Sequence, residues 1–470
     1  MSMFRTTLTA VVITLPLPAL AQQPDAMTAP VDAIFAQWDS TGSAGCAVGV
    51  ARDGRTVLAR AYGMADLEHG IRNTPATIFE SGSLAKQFTA AAIALLALDG
   101  KLSLDDDVRR YVSELPDYGQ TITIRHLLTH TSGLRDWGSV AAIAGWGRDV
   151  RTHTHDHVLD ILSRQRTLNF TPGTEYSYSN SGYNLLAIIV DRVSGMPFAE
   201  FSRTRIFEPL GLENTQWRDD YRRIVPGRSS AYAMRGGTWV IDRPIENVHG
   251  NGGLLTTIED LLTWNEALAT GTLGGPAFVQ MMHQRGVLNN GRSIDYAAGL
   301  FVTSLDDVPE VSHTGSTAGY RAFLARYPDQ HLDVAVLCNA GNVNPGRVGR
   351  DVARIALDRP SSVVRTAAPA PSSPGAAPRP PALTAEMLQA YAGEYYSPDA
   401  ETTLAVTVDG ASLVIQRRPA ARMPLRALEE DLFTAGQLGR VRFIRDDTGT
   451  VTHLSVQQAR VYDLRFERVQ

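Results

Sequence analysis

Hydrophobic and polar positions along the chain switch between a period of two and a helical period, and the switches mark out its parts. Residues 45–64 alternate as two short strands around Asp53-Gly54, a hairpin signal. Residues 83–98 (SLAKQFTAAAIALLAL) are rich in alanine and leucine, apolar almost all round, and stopped by Asp99-Gly100, which predicts a buried helix. Helical patterns and polar loops prevail over 100–270. Residues 297–340 return to strands, with turns at Asp306-Asp307, between Gly315 and Gly319, and at Pro328-Asp329. Residues 348–358 read as a closing helix. Strands at both ends of a region with helices between them imply one mixed sheet assembled from distant segments, an α/β arrangement.

Two segments stand apart from that region. Residues 359–382 are rich in proline, alanine and serine, cannot bury a core, and read as a semi-rigid linker. Residues 383–470 carry short alternating strands (TTLAVTV, ASLVIQR, RVRFIRD, YDLRFER) with turn signals at Asp409-Gly410 and Asp447-Thr448-Gly449, which predicts a small antiparallel β-barrel with no catalytic constellation of its own. Residues 1–21 read as a cleavable signal peptide: Arg5, a largely apolar run over 8–20, then Ala19-Leu20-Ala21. That run is too short for a stable membrane anchor, so the mature protein is expected in the periplasm or secreted. A net charge of −5 over 470 residues gives no reason to expect nucleic acid or an anionic membrane as partner.

Cys46 and Cys338, the two cysteines of the chain, both fall in predicted strands. Two buried free thiols are expected, because ladder geometry rarely suits a bridge, although an oxidising compartment would permit one.

Only two of the 44 basic residues are lysines, Lys86 and Lys101. Lys86 lies three positions after Ser83 at the start of the predicted buried helix. Residues i and i+3 share a helix face, so its amine can reach the Ser83 hydroxyl. Arginine cannot lose its proton in a protein, whereas a buried lysine can. Two further segments could carry chemistry. Tyr178-Ser179-Asn180 offers a phenol that can move a proton and an amide that can orient its neighbours. His313-Thr314-Gly315-Ser316-Thr317, between two predicted strands, offers a histidine able to titrate near neutrality and a glycine that permits close backbone approach. Taken singly, each of these two segments is a weak signal.

In this order, Ser83-x-x-Lys86, Tyr178-x-Asn180 and His313-Thr314-Gly315 resemble the penicillin-recognising serine hydrolases, in their class C β-lactamase-like branch. The segments IRHLLTHTSGL (124–134), TPGTEYSYSNSGYNLL (171–186) and NGGLLTTIEDLLTW (251–264) are similar to that branch too. The resemblance covers residues 30–358. It implies a β-lactamase/DD-peptidase-like antiparallel sheet flanked by helices, an all-helical subdomain, and a lipocalin-like barrel as the tail. It also implies roles: Ser83 as acylated nucleophile, Lys86 and Tyr178 as proton carriers, and Asn180 as their positioner. His313, Thr314 and Gly315 would face the substrate, and the N–H groups of Ser83 and Ser316 would hold the oxyanion. No metal and no cofactor are implied, and the partner is a small-molecule or peptide substrate.

Class C β-lactamases carry lysine where His313 stands. Histidine there, with a barrel tail, resembles DD-carboxypeptidases and D-aminopeptidases. The expected activity is hydrolysis of D-amino-acid peptides or amides. A β-lactamase or a short-chain carboxylesterase of the same fold is the alternative, and a covalent β-lactam-binding protein with little turnover is the alternative of another class. The remaining histidines attract no such role. His153, His155 and His157 are expected on the surface at a helix start capped by Thr154 or Asp156. His126 and His130 are expected on one helix, in packing or hydrogen-bonding roles. Trp137 suits a cleft wall and a core equally well.

Overall fold

The computed structural model describes residues 26–359, 383–418 and 421–469. The expected signal peptide (1–21) and residues 360–382 of the expected linker lie outside the described residues.

Six strands form the central sheet: β1 (Cys46–Arg52), β2 (Arg55–Tyr62), β3 (Phe301–Leu305), β4 (Val308–Thr317), β5 (Tyr320–Tyr327) and β6 (Leu332–Cys338). Their spatial order is β3-β4-β5-β6-β1-β2, all antiparallel, so the first and last segments of the region meet at the β1–β6 pair. Side chains alternate across each strand, and both sets are apolar at the centre because both faces are covered. Of the helices α1 (Thr28–Phe35), α2 (Ala85–Leu98), α3 (Asn180–Ser194), α4 (Ile258–Thr270) and α5 (Pro345–Ala356), it is α1, α4 and α5 that do the covering. Val48, Val50, Val334 and Val336 pack with Phe35 of α1 and with Val348 and Val352 of α5. Ala47, Ala51, Ala335 and Leu337 pack with Ile258 and Leu262 of α4. The helical part is built on α2 and α3, and no helix among the described residues is long and apolar enough to cross a membrane.

Cys46 and Cys338 form a disulfide, against the expectation of free thiols. They are directly opposed in the β1–β6 ladder, 4.0 Å apart at Cα, so the pairing register itself brings the two sulfurs together. A second difference concerns β4, which runs through Thr317. His313-Thr314-Gly315 therefore lies inside a strand, not between two, and the turn is confined to Ala318-Gly319.

Beyond residue 383 a closed antiparallel barrel has eight strands, β7 (Gly393–Ser397), β8 (Thr402–Asp409), β9 (Ser412–Arg417), β10 (Ala421–Glu429), β11 (Leu432–Thr434), β12 (Arg440–Arg445), β13 (Val451–Gln458) and β14 (Val461–Arg468). Buried rings of Tyr395, Phe433 and Phe443 fill it, and Tyr391, at the end of a short preceding helix, packs 4.7 Å from Phe443. The barrel docks on the helical part. Arg135 and Asp399, both buried, pair at 3.0 Å across that contact, and Arg135 also donates to the Asp463 carbonyl at 2.6 Å.

Candidate active site

The site begins with a backbone constraint. Ser83 stands in a 3-10 turn, Gly82–Leu84, that runs directly into α2. Gly82 has φ +54°, and a Cβ on it would lie 2.5 Å from the Ser316 nitrogen. A Cβ on Gly315 would lie 1.9 Å from the Ser81 carbonyl oxygen. Only paired glycines let β4 and the Ser83 turn approach this closely.

Lys86, in the first turn of α2, is wholly buried. Its Nζ lies 3.0 Å from Asn180 Oδ1, 2.6 Å from the Asn251 carbonyl oxygen and 3.3 Å from Ser83 Oγ. Burial lowers its pKa well below the usual lysine value; the nearby charges of Arg460 and Arg148 push the same way, and Asp136 opposes them. A neutral amine has two N–H bonds and one lone pair. In that neutral form, which burial favours, donating the N–H groups to Asn180 and Asn251 leaves the lone pair for the serine hydroxyl.

Asn180 opens α3, and its N–H donates to Asp136 Oδ2 at 2.9 Å. The ring of Tyr178 lies under Lys86 Nζ, 4.8 Å from centroid to nitrogen. Its hydroxyl has no hydrogen-bond partner among the described residues. Burial raises its pKa, and the adjoining Ser83 hydroxyl and the Arg460 charge counter part of that rise. The phenol is therefore protonated at neutral pH.

His313 is buried and does not titrate near neutrality. Desolvation, then the neighbouring Lys86, pull its pKa down to about 3. Its Nδ1 lies 2.6 Å from the Thr314 carbonyl oxygen and its Nε2 3.0 Å from Tyr296 Oη, which assigns the proton to Nδ1 and makes Nε2 the acceptor. Both ring nitrogens are thereby engaged within the protein. Thr314 and Ser316 line the same cleft, and Gly315 supplies the close approach.

The cleft has a volume of about 440 Å³ and brings together Ser83, Tyr178, Asn180, His313, Thr314 and Ser316. A larger groove of about 660 Å³, bordered by Glu200, Arg203 and Trp217, lies elsewhere and holds none of these residues. Seven other cleft residues escaped the sequence reading: Gly82, Arg148, Tyr176, Asn251, Gly252, Phe301 and Arg460. Asn251 and Gly252 begin the segment NGGLL, whose pattern was visible without a role. Arg148 and Arg460 had no local motif to reveal them.

The other histidines take up structural places. His130 lies beyond the helix Ile124–Leu128, not on it, at φ +58°. Its Nδ1 accepts from the Ser179 N–H at 3.2 Å, and its ring packs 4.2 Å from that of Tyr178. His126 closes the capping box of that helix with Thr123. His153 is buried against Trp137, and His155 and His157 are partly buried, so the surface placement expected for all three is incorrect. Thr154 does cap the helix His155–Ser163. Trp137 is core, donating through Nε1 to Asn184 at 2.8 Å. No cluster of three or more potential metal ligands occurs among the described residues.

Comparison with known proteins gives this geometry its class. The Beta-lactamase family profile matches residues 31–359, and the chain belongs to that family. A domain of unknown function, DUF3471, matches residues 377–468. Penicillin-binding protein 4* of Bacillus subtilis (strain 168) is 32% identical over 308 residues, covering 62% of this chain and 66% of the relative. A D-aminopeptidase of Gluconobacter oxydans (strain 621H) is 28% identical over 317 residues, covering 67% of this chain and 58% of that protein. The chain thus spans somewhat less than two thirds of the length of these curated relatives. The octameric penicillin-binding protein homologue from Pyrococcus abyssi shares the fold, with a TM-score of 0.64 at 22% identity over 94% of this chain and 98% of that one.

Proposed function

We propose that the protein is an exported serine hydrolase working through a Ser83 acyl-enzyme on an amide, peptide or ester bond, chiefly in D-amino-acid peptides or amides. The observation that carries the reading is the buried Lys86 amine, its pKa lowered by burial, hydrogen-bonded to Asn180 and the Asn251 carbonyl and 3.3 Å from Ser83 Oγ. As Oγ bonds to the substrate carbonyl carbon, its proton passes to Lys86 Nζ. The carbonyl electrons move to oxygen, which the N–H groups of Ser83 and Ser316 hold. The Tyr178 hydroxyl, unpartnered in the free protein, relays a proton to the departing nitrogen or oxygen and is itself replenished by Lys86. Water then attacks the acyl-enzyme; its proton returns through the same two groups, and Ser83 is released. A phenol held protonated by burial suits the relay, and Lys86 is the base.

Similarity to a D-aminopeptidase and a penicillin-binding protein supports the D-configured substrate class. Export is supported by the Cys46–Cys338 disulfide, since such bonds persist in oxidising compartments. The test is turnover of a D-Ala-D-Ala peptide, a D-amino-acid amide and a p-nitrophenyl ester by wild type and Ser83→Ala. Wild type should cleave at least one of them, and Ser83→Ala should lose roughly 10⁴-fold or more in rate. Activity that survives Ser83→Ala would overturn the scheme.

A further inference from the structure

The tip of the β13–β14 hairpin belongs to the barrel, yet it forms part of the catalytic cleft. Arg460 lies there, its guanidinium 5.0 Å from the centroid of the Tyr178 ring. The tip is held by backbone groups. The Arg460 carbonyl accepts from the Asp136 N–H at 3.3 Å and from Asn169 Nδ2 at 3.1 Å, and the Tyr462 N–H donates to Asn169 Oδ1 at 2.9 Å. Docking therefore does not use the arginine side chain. That side chain is 41% exposed, and its closest carboxylate, Asp136 Oδ2, lies 3.7 Å away, beyond hydrogen-bond reach. None of its N–H groups has a hydrogen-bond partner among the described residues.

The rest of the cleft wall isolates this charge. The residues lining the cleft include no aspartate or glutamate. Arg148 is tied to the buried carboxylate of Glu246 through two nitrogens. The Lys86 amine is engaged by Asn180 and the Asn251 carbonyl, and His313 is held neutral by burial. Among the described residues that line the cleft, Arg460 is the cation whose donors remain open. A planar guanidinium in the same cleft as Ser83, with open donors and Asp136 as its one carboxylate, held at 3.7 Å without a hydrogen bond, is suited to a substrate carboxylate.

We propose that Arg460 is a substrate-binding residue contributed by the barrel, selecting substrates that carry a free carboxylate over neutral or amine-terminated ones. This rests on the hydrolase reading above and narrows it toward the carboxypeptidase type. The same placement has a second consequence. The charged groups around Lys86 are Arg460, Arg148 and Asp136, with His313 and Tyr178 beside them as neutral groups. Losing the Arg460 charge lets the Lys86 pKa rise, so the acid limb of the rate profile should move to higher pH.

The test uses the full chain with Ser83→Ala as background, so that ligand is bound and not consumed. Ligand-observed NMR titration would give the affinities of N-acetyl-D-alanyl-D-alanine and of its C-terminal amide, with Arg460 intact, as Arg460→Gln and as Arg460→Lys. The acid should bind roughly 10- to 100-fold more tightly than the amide when Arg460 is intact, the range of charge-assisted hydrogen bonds. Arg460→Gln should bring the two together, and Arg460→Lys should restore part of the gap. Equal affinities with Arg460 intact, or a gap that persists in Arg460→Gln, would overturn the proposal. Binding read in this way is separate from turnover, so a failed hydrolase assay and a failed carboxylate preference are different results.

Discussion

In the proposed scheme Lys86 serves catalysis at the expense of stability. Burial lowers its pKa well below the usual lysine value in the folded protein, while in the unfolded chain it binds a proton up to about pH 10.4. Between the lowered folded value and that figure the unfolded state holds one more proton, so stability rises with pH across the window; below the folded value the penalty is constant. In Lys86→Met the group is absent. From pH 8.5 to 9.5 the wild type should therefore gain stability relative to the variant, by at most about 1.4 kcal/mol, one proton's worth. Urea unfolding of both proteins at the two pH values measures it, and parallel curves would mean that the folded amine is charged. Turnover by Lys86→Met should fall roughly 10²- to 10⁴-fold, the usual weight of a general base. Ser83, Lys86, Tyr178, Asn180 and His313 were legible because each sits in a short motif whose spacing survives folding. Arg460 was not, because it lies 377 positions after Ser83 in a plain hairpin, and only docking gives it a role. The state of His313 was also hidden, since its lowered pKa comes chiefly from burial in the folded site, which no sequence neighbour reveals.

At the scale of elements, the site depends on how closely β4 can approach the Ser83 turn. Gly315→Ala would set a methyl 1.9 Å from the Ser81 carbonyl oxygen, which neither backbone can accommodate without moving. A stability loss of about 1–3 kcal/mol is expected, typical of overpacking. Displacing Ser316 from its proposed oxyanion position should lower kcat/KM roughly 100-fold or more. Gly42→Ala is the control, because a Cβ there meets nothing within 4 Å. If Gly315→Ala matches that control in melting temperature and in rate, the close approach has no role. The elements were largely legible: the Asp53-Gly54 hairpin, the buried helix after Ser83, the four strands of 297–340 and the barrel all carry local period and turn signals. Two features were hidden in pairing. The register that sets Cys46 opposite Cys338 is a property of two segments 292 residues apart, and the continuation of β4 through Gly315 is fixed by its ladder with β5.

At the scale of the whole molecule, the barrel and the catalytic region are joined next to the chemistry. Arg135 lies between them, bound to Asp399 of the barrel and, through its carbonyl, to Ser181 in the first turn of α3. Arg135 is 2% exposed and Asp399 7%. Removing one partner of so buried a pair leaves the other charged without its counterion, which costs more than the pair itself contributes. Asp399→Ala should therefore cost about 3–5 kcal/mol in denaturant unfolding. It should also loosen the docked barrel, read as faster amide exchange in the β13–β14 hairpin. Asp136 keeps Asn180 in place by bonds that do not pass through Asp399: Oδ2 accepts from the Asn180 N–H, and Oδ1 from the N–H and hydroxyl of Ser139. The catalytic groups should then stay assembled while Arg460 withdraws. Hydrolysis of a neutral p-nitrophenyl ester by Asp399→Ala should remain within a few-fold of wild type, while the preference for a free carboxylate should shrink as in Arg460→Gln. If ester hydrolysis is lost instead, the barrel supports the nucleophile itself and not only the choice of substrate.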